Sequence, residues 1–144
     1  LKNLNTSNSN VNLEEAEQKL LELLRSSIKY RVQSDVPLGL YFSGGIDSSL
    51  LAAILKDEQI IEKIQSLTAV SDDVPDEQRE LIARMAESLD LSPEFCNSIV
   101  DGPQRTMRRL MWHMEMPYSP GIICDDSLNS AAKELNLVVV VLGS

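Results

Sequence analysis

The run Ser43-Gly44-Gly45-Ile46-Asp47-Ser48-Ser49 brings together side chains suited to holding a polyphosphate. Two adjacent glycines let the backbone turn tightly and carry its N–H groups close to an anion. The serine hydroxyls can donate to phosphate oxygens, and Asp47 can hold the Mg²⁺ that accompanies a polyphosphate. No lysine is present, so this is not a Walker-type loop. The plain alternative is a Ser/Gly turn in which Asp47 or Ser48 is an ordinary helix N-cap.

A phosphate loop of this kind needs a strand before it and a helix after it, and the flanking residues supply both. Pro37 to Phe42 is a short apolar run, and a helix is predicted from about Ser48 to Leu55. A helix starting near Asp47 adds unpaired N–H groups and the positive end of its dipole. Upstream, Asn12 caps a helix reaching about Val32, with Glu15 placed as in a capping box; Leu13, Ala16, Leu20, Leu23, Leu24 and Ile28 form its apolar face. Downstream, Ile64 to Val70 reads as a second strand, followed by a turn at Asp72, Asp73 and Pro75. Leu81, Ile82, Met85, Ala86 and Leu89 recur at helical spacing, and Phe95 to Val100 reads as a third strand. Gly102-Pro103 opens a helix with Met107, Leu110, Met111 and Met114 on one side. After Pro117, Pro120 and Gly121, a helix starts at Asp125-Asp126 and buries Leu128, Ala131, Ala132 and Leu135. Leu137 to Leu142 is apolar at both alternating sets, as suits a strand buried on both sides. Strands alternating with amphipathic helices predict an α/β fold: a parallel sheet with helices on both faces. Residues 1–12, rich in Asn and Ser, read as a linker or disordered arm, and 13–144 as one domain.

Composition narrows the function classes. The 144 residues are 43% hydrophobic, enough for one core. Thirteen Lys and Arg against 22 Asp and Glu give a net charge of -9, which repels a phosphate backbone and argues against nucleic-acid binding. Cys96 and Cys124 match neither a metal-ligand spacing nor a disulfide framework, which points to a cytoplasmic location. No apolar run approaches the ~20 residues needed to span a bilayer. His113 and the trio Arg105, Arg108 and Arg109 read as surface residues, the methionines as a core or interface stripe, and Cys124 as a thiol without a base.

The string SGGIDSS resembles the PP-loop of the ATP pyrophosphatase family. The wider RVQSDVPLGLYFSGGIDSSLLAAI is similar to the start of the synthetase domain in the glutamine-hydrolysing asparagine synthetase family, with the lead-in Ser34 to Gly39 the more specific part. The resemblance implies an adenine nucleotide alpha hydrolase-like fold that uses ATP and Mg²⁺. It would place pyrophosphate and Mg²⁺ on Ser43, Gly44, Gly45, Asp47, Ser48 and Ser49, and adenosine on Phe42, Ala69, Gly143 and Ser144. It further implies adenylation of a small carboxylate (the aspartate side chain first), then amide formation with ammonia from a glutaminase domain upstream. WHMEMP and GIICDD depart from the family pattern beside the acceptor pocket, which keeps a β-lactam synthetase or peptide cyclase open as alternatives. The acidic Gly-x-Asp-Glu loop and the catalytic lysine of the family have no counterpart up to Ser144. The chain is therefore read as the N-terminal part of such a domain, with no catalytic residue of its own, expected to bind nucleotide weakly without turnover. A nucleotide-binding unit without activity is the non-enzymatic alternative. The net charge and the lack of paired cysteines disfavour a PP-loop enzyme acting on tRNA.

Overall fold

A computed structural model describes residues 12–71, 74–97, 102–116 and 122–143. Helix α1, Leu13–Arg31, starts where Asn12 caps it: the Asn12 side chain accepts the Glu14 N–H at 3.2 Å. Glu14 and Glu15 lie at its N-terminal end and Lys29 and Arg31 at its C-terminal end, matching the helix dipole. Strand β1, Leu38–Tyr41, leads into α2, Ile46–Asp57; a 3₁₀ turn, Ile61–Lys63, precedes β2, Ile64–Val70. Then come α3, Asp76–Ser88, β3, Glu94–Asn97, α4, Pro103–Met114, α5, Ile122–Glu134, and β4, Val139–Leu142.

The four strands form one parallel sheet in the order β3-β2-β1-β4. Alternation along β1 divides the core in two. Leu38, Leu40 and the following Phe42 pack with α1, α2 and α3, joined by Ile54, Leu55, Ile64 and Ile82. On the opposite face Leu67 and Cys96 meet Leu128 and Ala132 of α5, with Tyr41 and Val140 beside them. The expected α/β architecture, with helices on both faces of a parallel sheet, is the one found.

Three sequence expectations are corrected. The apolar face of α1 is rotated: Ile28 is buried and Leu21 and Leu24 pack beside it, while Leu13, Leu20 and Leu23 are exposed. The helix carries two apolar lines and only one can face the sheet; ion pairs from Arg25 to Asp57 (2.8 Å) and Lys29 to Glu58 (2.7 Å) hold α1 against the end of α2 in this rotation. Strand β4 is not buried on both sides. Val139 to Val141 are half-buried and Leu142 is exposed, because β4 pairs only with β1 and forms a sheet edge among the described residues. Of the core-or-interface expectation for the α4 methionines, the core alternative fails for Met111 and Met114, which are exposed. Helices α2 and α5 begin two and three residues earlier than expected. Residues 1–11, Asp72, Asp73, the segment 98–101 with the end of the expected third strand, the segment 117–121 and Ser144 lie outside the described residues.

The exit of β1 is held by two hydrogen bonds. Phe42 N–H donates to the Leu67 carbonyl at 2.8 Å, and the buried Thr68 hydroxyl donates to the Phe42 carbonyl at 2.6 Å. Thr68→Val removes that donor and leaves a buried carbonyl unpaired, so we expect a loss of about 1–3 kcal/mol. Thr68→Ser, which keeps the hydroxyl, should lose markedly less. Urea denaturation of the two variants beside the parent chain checks this.

Candidate functional site at the C-terminal ends of β1, β2 and β4

From β1 the chain builds the sheet outward through β2 and β3, then returns to lay β4 on the other side of β1. Such a reversal of strand order opens a crevice beyond the carboxyl ends of the strands. The loop after β1 lies there, and its conformation follows from its residue types. Gly44 has φ +72°, a left-handed conformation that glycine adopts without the Cβ penalty. Gly45 is extended and serves as the N-cap of α2, so no side chain caps the helix. The alternative in which Asp47 or Ser48 is the cap is therefore not what forms. Both sit inside the first turn, whose N–H groups remain open to an anion.

The loop is braced from within. Ser48 Oγ donates to the Gly45 carbonyl at 3.1 Å, while the Ser43 N–H donates to Ser48 Oγ at 3.3 Å. The two hydroxyls are 3.1 Å apart, and the Gly45 N–H donates to Ser43 Oγ at 3.3 Å. With the Ser48 proton committed to Gly45, the Ser43 hydroxyl is left to donate to Ser48. Two of the three hydroxyls that the sequence assigns to phosphate are thus engaged in the loop, and Ser48 is buried. Ser49 differs: its Oγ is buried and has no hydrogen-bond partner among the described residues. An unpaired buried hydroxyl in the first turn of α2 is a donor waiting for an acceptor.

A cleft of about 370 Å³ opens beside the loop. It brings together Phe42, Ser43, Ser48, Ala69 and Gly143, five of the residues expected at the site. Asp47 is exposed and lies against Gly143: a Cβ on Gly143 would come within 3.0 Å of the Asp47 backbone carbon. The end of β4 therefore rests directly on the first turn of α2. Gly44 and Gly45 shape the loop; Ser144 lies outside the described residues. No group of three or more His, Cys, Asp or Glu comes together among the described residues. Any Mg²⁺ here would take most of its ligands from phosphate and water, as Mg²⁺ commonly does.

Sequence reasoning missed the walls of the cleft. Val74, Gln78 and Ile82 line it from the α3 side, and Tyr41, Cys124, Asp125 and Leu128 from the α5 side. The available signal was positional, since α3 and α5 both begin near the same ends of the strands. The Tyr41 hydroxyl donates to Asn129 Oδ1 at 2.7 Å. Burial first, and the nearby Asp125 charge second, raise the Tyr41 pKa. His113, Arg105, Arg108 and Arg109 are exposed, as expected of surface residues, and Arg109 also forms an ion pair with Asp126. Both cysteines are free: Cys124 is exposed, and Cys96 is buried with its pKa raised by burial and then by Glu94 and Glu134.

Residues 19–143 match the family model described as asparagine synthase. A segment of the chain is 34% identical over 55 residues to a protein of Methanocaldococcus jannaschii named as a glutamine-hydrolysing asparagine synthetase, covering 35% of this chain and 11% of that one. A match of 41% identity over 54 residues is also found to a Schizosaccharomyces pombe protein named as a glutamine-hydrolysing asparagine synthetase, covering 38% of this chain and 9% of that one. Among solved structures, an NH3-dependent NAD synthetase from Campylobacter jejuni superposes with TM-score 0.52 at 19% identity, covering 89% of this chain and 55% of that one. A glutamine-dependent NAD+ synthetase from Acinetobacter baumannii, solved with ADP, gives TM-score 0.55 at 20% identity, covering 88% and 24%. These structural likenesses establish a shared fold. The chain spans little more than half of the first synthetase and a much smaller share of the second.

Gly44→Ala places a Cβ on a left-handed residue and within 3.1 Å of Ile82 Cγ1. Thermal denaturation should show a loss of about 1–2 kcal/mol. The thiols should separate by alkylation at pH 8: Cys124 reacts readily, while Cys96 lags because a raised pKa leaves less thiolate and burial blocks access. Peptide mapping after iodoacetamide reads both rates.

Proposed function

Since the chain belongs to the asparagine synthase family, we propose that the cleft beside Ser43–Ser49 binds ATP for activation of a carboxylate. The observation that carries this reading is the open, uncapped start of α2 at the strand-order reversal, with the buried Ser49 hydroxyl unpaired in its first turn. A polyanion there would meet the N–H groups of the first turn, the positive end of the helix dipole and a free hydroxyl donor. Adenosine would lie along Phe42, Ala69 and Gly143, on the apolar side of the cleft. Asp47 would hold Mg²⁺ together with phosphate oxygens and water, and the ion would supply charge neutralisation on the departing pyrophosphate.

In the reaction we propose, an oxygen of the acceptor carboxylate attacks the α-phosphorus of ATP. The bond to the bridging oxygen breaks, and pyrophosphate leaves with the electron pair. An amine then attacks the acyl carbon of the mixed anhydride, releasing AMP and a proton and forming an amide. The contribution of this chain is electrostatic and geometric. Its N–H dipoles, fixed by the braced loop, would meet the leaving group without needing to reorganise. Aspartate is the acceptor we put first and ammonia from glutamine the nitrogen source, both by extension from the family. A carboxylate of the β-lactam synthetase or peptide cyclase type is the alternative.

Calorimetry with ATP and Mg²⁺ on the chain tests the nucleotide reading; we expect saturable binding at one site. Ser49→Ala should weaken it about fivefold to tenfold, the effect of one hydrogen bond to a charged group. Bound ATP should also slow iodoacetamide labelling of Cys124, which lines the cleft, and leave Cys96 unaffected. Labelling of Cys124 at the same rate with saturating ATP would place the nucleotide elsewhere.

A further inference from the structure

Of the two apolar lines on α1, the one that carries Ile28 faces the core. The other runs Leu13, Ala16, Leu20, Leu23, Ser27 and Tyr30. Its intervals alternate between three and four residues, the a/d spacing of a helix that packs lengthwise against another helix. Leu13, Leu20, Leu23 and Tyr30 are each more than half exposed. One exposed leucine is ordinary. Four large apolar side chains in register along a 19-residue helix make a stripe about 28 Å long.

The charges on α1 are sorted by end. Glu14, Glu15 and Glu17 lie near its start. In the middle, Lys19 and Glu22 pair with each other at 3.2 Å. Toward the far end, Arg25 and Lys29 are engaged by Asp57 and Glu58 at the end of α2. Arg31 is turned the other way: its Nε donates to Ser27 Oγ at 3.3 Å, which holds the guanidinium beside the exposed stripe.

A helix laid along this stripe must bring apolar residues at matching intervals and the reverse order of charge. The same helix from a second copy, run antiparallel, meets both requirements. Its basic end lies toward Glu14, Glu15 and Glu17, its acidic end toward Arg31, and the two helix dipoles oppose each other. Run parallel, it would set acid against acid and Arg31 against Arg31. Each copy carries a net charge of -9, so two copies already repel, and the parallel order would add to that repulsion.

We propose that the exposed face of α1 is a self-association surface through which two copies of this chain pair, antiparallel and two-fold symmetric. Leu20 of each copy packs on Leu23 of the other, and Leu13 of each on Tyr30 of the other, so one patch completes itself. Contact along a single helix lies at the low end of specific interfaces, roughly 1,000–1,200 Å². The association is therefore weak, with a dissociation constant on the order of 10–100 μM.

Sedimentation equilibrium of the native chain from about 5 to 500 μM should show monomer and dimer exchanging within that range. Leu20→Lys with Leu23→Lys should weaken the dimer about tenfold or more. Far-UV circular dichroism and the thermal midpoint should stay unchanged, because both side chains are exposed in the monomer. In a Cys124→Ser background, oxidation should link Leu13→Cys to Tyr30→Cys when the two variants are mixed, and link neither to itself. A native chain that stays monomeric throughout overturns the proposal, as does a dimer that the two lysines leave intact. Leu13→Cys linked to itself also overturns it, since only a parallel pair brings those residues together. Dimerisation that appears only after residues 1–11 are removed assigns the face to that segment and overturns it as well.

Discussion

Every feature of the site depends on where β1 ends, and two hydrogen bonds fix that point. The Phe42 N–H and carbonyl are both held by β2, one by the Leu67 carbonyl and one by the Thr68 hydroxyl. A side-chain donor is needed because Phe42 lies beyond the β1–β2 ladder, where its carbonyl would otherwise be buried and unpaired. With Phe42 pinned, Ser43 must start the turn, Gly44 must take the left-handed conformation, and α2 must begin at Ile46. The packing of Phe42 reinforces this, since its ring is almost completely buried among α1, α2 and α3.

The loop is thereby organised by its own hydrogen bonds. Those of Ser43, Ser48 and Gly45 close on one another and hold the conformation that presents the first-turn N–H groups. Serines in such a motif are easily read as ligand donors from their type alone. Here geometry divides the labour: Ser43 and Ser48 maintain the shape, and the Ser49 hydroxyl has no partner among the described residues.

Much of this was legible in the residues. The strand, glycine turn and helix around Gly44-Gly45 follow from local rules, and β2 was bounded at the residues observed, Ile64–Val70. The parallel sheet followed from alternating periodicities. What stayed hidden depends on tertiary neighbours. The two apolar lines of α1 are equivalent in periodicity, and ion pairs to α2 select between them. The valines of β4 have the composition of a central strand, but among the described residues they pair on one side only. Tyr41, Gln78 and Asp125 reach the cleft from three different elements. No spacing within a single segment could have joined them.

The contact between Gly143 and Asp47 joins β4, an edge strand among the described residues, to the first turn of α2. An edge strand that is half-buried and paired on one side opens at lower free energy than the central strands. When β4 frays, the cleft loses one wall while the core around Leu40 and Leu67 stays folded. Occupancy of the cleft and closure of that strand are then one equilibrium seen from two ends, and a ligand that touches Gly143 slows amide exchange along Val139–Leu142 as it binds.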